Sequence, residues 1–164
     1  MIRLQETLEL PGDADHAFAF LADFRNLPRW DPGIAHVEQL DGGSEPAIGA
    51  RYKVIAAFLG RHVPMDYEVR RLDAEGRLAE LVGEAPTLTA IDRIEVEPTR
   101  SGIRVRWTAD FEMKGALGHA EFLMRPLLNR VARSAMNGMR RTLTERAHPR
   151  AAQGTDRATA TTAA

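Results

Sequence analysis

The chain has 164 residues and not one cysteine. That absence excludes disulfides, thiolate nucleophiles and zinc–thiolate centres together, and it fits a cytoplasmic setting. An excess of either charge is also missing: 22 basic against 23 acidic residues leave a net charge of -1. No basic field is there to hold nucleic acid or an anionic membrane surface, so neither partner is expected. The opening stretch M-I-R-L-Q-E-T-L-E-L has no long apolar run, and neither a signal peptide nor an integral membrane segment is expected. The five histidines stand at 16, 36, 62, 119 and 148, with no pair at metal-ligand spacing on one element and no H-E-x-x-H. No G-x-S-x-G, Walker-type or dinucleotide-binding glycine pattern occurs either, so no metal or cofactor is expected. Tryptophan is scarce, with only Trp30 and Trp107, which makes the placement of each informative.

The residues present suffice for one domain with a sizeable core: 44% are apolar. Residues 148–164, H-P-R-A-A-Q-G-T-D-R-A-T-A-T-T-A-A, contain no large apolar side chain. They cannot bury enough surface to offset their ordering entropy, so this tail is expected to be disordered and the folded domain to span 1–147.

Periodicity orders the rest. Ile2, Leu4, Leu8 and Leu10 share one parity, the mark of a half-buried strand. Pro11-Gly12 ends it, and Asp13 is a good N-cap for a short helix over 14–22. A second helical turn over 23–30 stops at Pro32. Alternating segments then follow at 34–40, 49–59, 63–70, 78–83, 87–97 and 103–113, joined by turns such as D-G-G-S, Gly60-Arg61, D-A-E-G and P-T-R-S-G. Such a run predicts an antiparallel meander with one wet face. From 119 to 147 the period becomes helical: Leu128, Ala132, Ala135, Met139 and Leu143 form one apolar stripe, and Pro126 is expected to bend the helix or mark where its regular part begins. A curved sheet with a single inner face needs a cover, and this helix is the one element long enough to supply it.

The chain resembles the START-like, or SRPBCC, superfamily in its bacterial polyketide cyclase/dehydrase and lipid transport branch. The resemblance is carried by L-P-G-D-A-D-H-A-F-A-F-L-A-D-F, N-L-P-R-W-D-P, T-L-T-A-I-D-R-I-E-V-E-P and G-I-R-V-R-W-T-A-D-F-E-M-K-G, and it covers about residues 2–146. It implies an α+β helix-grip fold: a curved antiparallel sheet, two short helices, and a long C-terminal helix over a cavity. It also implies a small hydrophobic partner, a lipid, polyketide or other polycyclic molecule, bound between sheet and helix. Some members of the superfamily are cyclases, so an aromatase/cyclase-type lyase or isomerase is the alternative. An interaction module with a collapsed pocket is the third reading, and a homodimer is left open.

Several residues are candidates for the site. Trp30, bracketed by Pro28 and Pro32, either plugs one end of the sheet or covers the mouth of a cavity. Asp92 shares parity with Leu88, Ile94 and Val96 and so points inward. A buried carboxylate is costly unless it is paired or hydrogen-bonded; it acts as a general acid or base, anchors a ligand, or serves structure by bonding an arginine or backbone amides. Tyr52, Tyr67 and Trp107 lie on inner parities, each an apolar ring with one polar tip, as suits a pocket or a plain core. Phe58, Phe111 and Met139 complete the expected lining, and His119 stands where the last helix begins, either as a ligand donor or as a solvated loop residue.

Overall fold

A computed structural model describes residues 1–115 and 121–147. Alternating side chains pair into one seven-stranded antiparallel sheet among these residues. The strands are β1 (Ile2–Leu10), β2 (Ile34–Gln39), β3 (Arg51–Phe58), β4 (Arg61–Asp73), β5 (Leu78–Ala85), β6 (Leu88–Thr99) and β7 (Gly102–Met113). Their spatial order is β1-β7-β6-β5-β4-β3-β2. Strands β2 to β7 thus form the expected meander, and β1 closes it by pairing with β7, Leu4 opposite Ala109 and Leu8 opposite Val105.

One parity of strands β3 to β7 is buried: Val54 on β3, Met65, Tyr67 and Val69 on β4, Leu81 on β5, Ile94 and Val96 on β6, Val105 and Trp107 on β7. The other parity carries charge. Arg3 on β1 donates two hydrogen bonds to Asp110 on β7, at 2.6 and 2.8 Å, which is why Asp110 is buried although it lies on the polar side. The β3–β4 turn departs from the expected Gly60-Arg61. It is Leu59-Gly60, both at positive φ, the mirror-image geometry whose twist suits a two-residue hairpin, with Arg61 already in β4.

Between β1 and β2 lie helix α1 (Ala14–Ala22), a 3₁₀ turn (Phe24–Asn26) and the short helix α2 (Leu27–Trp30). The Asp13 carboxylate caps α1 by accepting from the His16 N–H at 2.9 Å. The long helix α3 (Glu121–Ala147) lies across the inner face and packs along β1 and α2. Its buried stripe is Leu128, Ala132, Ala135, Met136, Met139 and Leu143. Pro126 sits near its start, and the helix runs through it rather than beginning there. Among the described residues no helix is long and apolar enough to cross a membrane. The expected tail at 148–164 and the candidate His119 lie outside the described residues.

The stretch N-L-P-R-W-D-P is where α2 clamps α3. Thr142 on α3 donates its hydroxyl to the Arg29 carbonyl at 2.9 Å. The Trp30 carbonyl rests on Gly138: a Cβ placed there would lie 2.1 Å from that oxygen, so the approach requires a residue without a side chain.

Candidate functional site

The sheet and the first half of α3 do not close on each other. They leave an apolar cavity of about 230 Å³ between Phe58 on β3, Met65 and Tyr67 on β4, Trp107 and Phe111 on β7, and Met124, Leu128 and Val131 on α3. Trp30 and Asp31 from the end of α2 close one side. A larger surface groove of about 1030 Å³ runs on the outside, between α1 and the last turn of α3. There Arg146 and Arg29 stack over Phe20, with guanidinium carbons 4.1 and 5.3 Å from the ring centroid.

The polar groups of the cavity are built by register. On β4 Tyr67 pairs with Gly83 of β5, and Gly83 pairs in turn with Ala90 of β6. A Cβ on Gly83 would lie 2.4 Å from the Tyr67 ring. The ring therefore lies flat across β5 through the gap that glycine leaves, and its hydroxyl reaches β6, where it donates to Asp92 Oδ2 at 3.0 Å. From the other side Trp107, opposite Ile94 on the β6–β7 ladder, donates its indole N–H to Asp92 Oδ1 at 3.2 Å. Both oxygens of Asp92 are thus held by neutral donors, not by the arginine or backbone amides expected for a structural carboxylate. With 7% of its surface exposed, Asp92 is pushed up to about 6, chiefly by burial. Its two hydrogen bonds oppose that rise, while the nearby Asp31 and Asp110 carboxylates add to it. Tyr67 is raised well above the usual phenol range, first by burial and then by the Asp92 charge.

A second acid, Asp31, faces the same space. It caps the end of α2, where Oδ1 accepts from the Gly33 N–H at 2.8 Å and the chain turns at Pro32. It is 9% exposed, and burial pushes it to about 6, with the Gly33 N–H pulling the other way. Asp31 is not among the residues singled out from sequence. A loop has no parity to show which way a side chain points. The signal that existed was the run W-D-P-G, since aspartate before proline and glycine favours a side-chain-to-backbone turn that fixes the carboxylate.

Of the residues singled out from sequence, Trp30, Phe58, Tyr67, Asp92, Trp107 and Phe111 stand around the cavity. Trp30 is 2% exposed and lines the cavity. Its indole N–H is buried with no partner among the described residues. Tyr52 and Met139 belong elsewhere. Tyr52 packs beside Phe24, ring centroids 5.9 Å apart, and Phe24 stands between it and Tyr67. Met139 is fully buried and does not line the cavity. Of the methionines, Met65, Met113 and Met124 line the cavity, while Met136 and Met139 are core.

Comparison with solved structures places this architecture. The Zhui aromatase/cyclase from Streptomyces sp. R1128 superposes with a TM-score of 0.76 at 17% identity, over 93% of this chain and 98% of that one. A START superfamily protein from Mycobacterium smegmatis gives 0.67 at 14% identity, over 90% and 97%. The di-domain ARO/CYC BexL from the BE-7585A biosynthetic pathway gives 0.68 at 18% identity, over 86% of this chain and 46% of that one. At such identities the likeness is one of fold, and it establishes the helix-grip α+β architecture. No curated protein matches at the level of sequence. The profile of the family described as polyketide cyclase / dehydrase and lipid transport, however, matches residues 1–144, and the chain belongs to that family.

Proposed function

We propose that residues 1–147 form a binding domain for a small hydrophobic molecule, which occupies the cavity between the sheet and the first half of α3. The observation that carries this reading is an apolar hollow of about 230 Å³ whose wall holds the Tyr67–Asp92–Trp107 hydrogen-bond set. A few oriented polar groups in an apolar cavity are what a selective small-molecule site needs. The hollow speaks against an interaction module with a collapsed pocket. Its size, below the roughly 300–1,000 Å³ common for ligand pockets, favours a compact one- or two-ring molecule over a long lipid or an extended polycycle. The test is native mass spectrometry of the purified protein for a co-purified molecule, joined to a titration with ethylnaphthalene followed by Trp30 and Trp107 fluorescence. Saturable binding that is lost when Val131 is changed to Phe is the expected result. Failure of any small apolar probe to saturate would sink the reading.

A second reading is favoured by the acidity of the site. Asp92, at about 6, is near the value at which a carboxyl exchanges protons well around neutrality. In an aromatase/cyclase or dehydratase role Asp92 would take or return the proton, and Tyr67 would relay it or steady a ligand oxygen. Asp92→Asn then lowers turnover by about 10²–10⁴ while ligand affinity stays within a few-fold. In the carrier reading the same change alters affinity alone.

A further inference from the structure

The cavity holds acid without base. Asp31 and Asp92 both face it, and none of its lining residues is lysine, arginine or histidine among the described residues. A buried carboxylate ordinarily finds a counter-charge or a full set of donors. Asp92 has its donors, one on each oxygen. Asp31 does not: Oδ1 accepts from the Gly33 N–H, and Oδ2 makes no hydrogen bond among the described residues yet is not sealed off, since the fully buried unpartnered side-chain atoms there belong to Trp30, Gln39 and Tyr52. Elsewhere the fold shows how it treats a buried carboxylate that is meant to be self-sufficient, since Asp110 is held by both arms of Arg3. The cavity that Asp31 lines is also walled by aromatic side chains, Phe24, Trp30, Tyr67 and Trp107. Aromatic faces attract a cation by their negative π clouds, and more strongly in a desolvated site.

We propose that the cavity is a site for a compact aromatic amine, whose ammonium group pairs with Asp31 Oδ2 while its ring lies among the aromatic walls. This rests on the ligand-cavity reading above and narrows its chemical class. A protonated amine supplies the charge and the donor that Asp31 lacks, and the apolar body fills the remaining volume. A carboxylate or phosphate ligand would be repelled by both acids. A neutral hydrocarbon would bury its surface and leave Asp31 uncompensated. Asp31, at about 6, is mostly ionised at pH 8, where an alkylamine is still largely protonated.

The experiment uses the full chain and four probes of one shape at pH 8: naphthylethylamine, naphthylethanol, ethylnaphthalene and naphthylacetate, titrated by calorimetry. The amine is expected to bind at least tenfold tighter than the alcohol and the hydrocarbon, and naphthylacetate more weakly than either. In Asp31→Asn, which keeps an acceptor for the Gly33 N–H, the amine's advantage is expected to fall to within about threefold while ethylnaphthalene affinity holds. If ethylnaphthalene or the alcohol binds as well as the amine, the amine inference falls and the ligand-cavity reading stands. If none of the four binds, both fall. If Asp31→Asn folds and keeps the full preference for the amine, Asp31 is not the anchor and the proposal is overturned. If the variant does not fold, the ranking of the four probes on the unaltered chain decides alone.

Discussion

The two halves of α3 face the same sheet and do different work. The second half is closed. Ala135, Met139 and Leu143 are buried, Gly138 lets the Trp30 carbonyl rest on the helix axis, and Thr142 ties the Arg29 carbonyl. The first half is open. Met124, Leu128 and Val131 look onto a void, and across it the sheet presents Asp92 and the aromatic rings of Phe58, Tyr67, Trp107 and Phe111. The difference follows from side-chain size and from α2. Small residues at 135 and 138 allow close approach, and α2 pins that end. Toward its start the helix has no such clamp among the described residues, and the space it fails to fill becomes the site. One helix thus divides stability from function along its own length.

Breaking the clamp has the largest expected effect. A methyl group on Gly138 meets the Trp30 carbonyl at 2.1 Å, and because the obstacle is backbone, α2 must move away. Gly138→Ala is expected to cost about 3–4 kcal/mol in urea unfolding, at the severe end for a single substitution. A loss under about 1 kcal/mol would show that α2 is not pinned there.

Filling each half tests the contrast directly. Ala135 is fully buried and does not line the cavity, so Ala135→Leu is expected to force side chains off their rotamers and cost about 2–3 kcal/mol. Val131 borders the cavity, so Val131→Phe grows into empty volume and costs less than about 1 kcal/mol while blocking ethylnaphthalene. Equal destabilisation by the two changes would mean that the halves are packed alike.

How much of this division was legible in the sequence depends on what each residue's neighbours reveal. The alternation over 103–113 and the stripe from Leu128 to Leu143 placed the strand, the helix and their buried faces, because parity and helical period are local properties. The same logic turned Asp92 inward, where it is found. It could not tell Tyr67 from Tyr52. Both are inward tyrosines, but only Tyr67 lies opposite a glycine on the next strand, and that depends on register across strands. Nor could it separate Met139 from Met124, because which half of a helix touches the sheet is set by α2, a distant segment. Asp31 escaped for a third reason: its direction comes from a turn, not from a period.

Gly83 therefore deserves a test of its own. Gly83→Ala pushes a methyl into the Tyr67 ring, 2.4 Å from its nearest atom, and the ring must lift off β5. The expected cost is about 2 kcal/mol, with loss of the Tyr67 hydrogen bond to Asp92. Because this change strikes the open half, it is also expected to weaken binding of an apolar probe several-fold, which Ala135→Leu, at a residue that does not line the cavity, would not do once allowance is made for the unfolded fraction. A Gly83→Ala variant with unchanged stability and unchanged probe binding would show that Tyr67 does not need the gap.

The smallest expected effect separates the halves by titration. The closed half contributes Thr142 as its buried polar residue, which carries no charge at any working pH, whereas Asp31 and Asp92 face the void. An unfolded aspartate titrates near 3.8, and in the folded chain Asp31 is at about 6. Between those values the folded protein binds more protons than the unfolded one, so the Asp31 contribution to stability rises as pH falls from about 6 toward 4 and is least favourable above 6. The whole stability curve will not show this by itself. Asp110, held low chiefly by its hydrogen bonds from Arg3, pulls in the opposite sense, as do Asp13, Asp41 and Glu84. The difference between the wild type and Asp31→Asn removes those shared terms. From pH 8 to pH 4.5 the wild type is expected to gain about 2 kcal/mol on the variant, measured by urea unfolding at each pH. Thr142→Val, in the closed half, is expected to give a difference that does not change with pH. If the Asp31 difference were equally flat, its carboxylate would be titrating as it does in water, and the open half would be a wet cleft and not an apolar cavity.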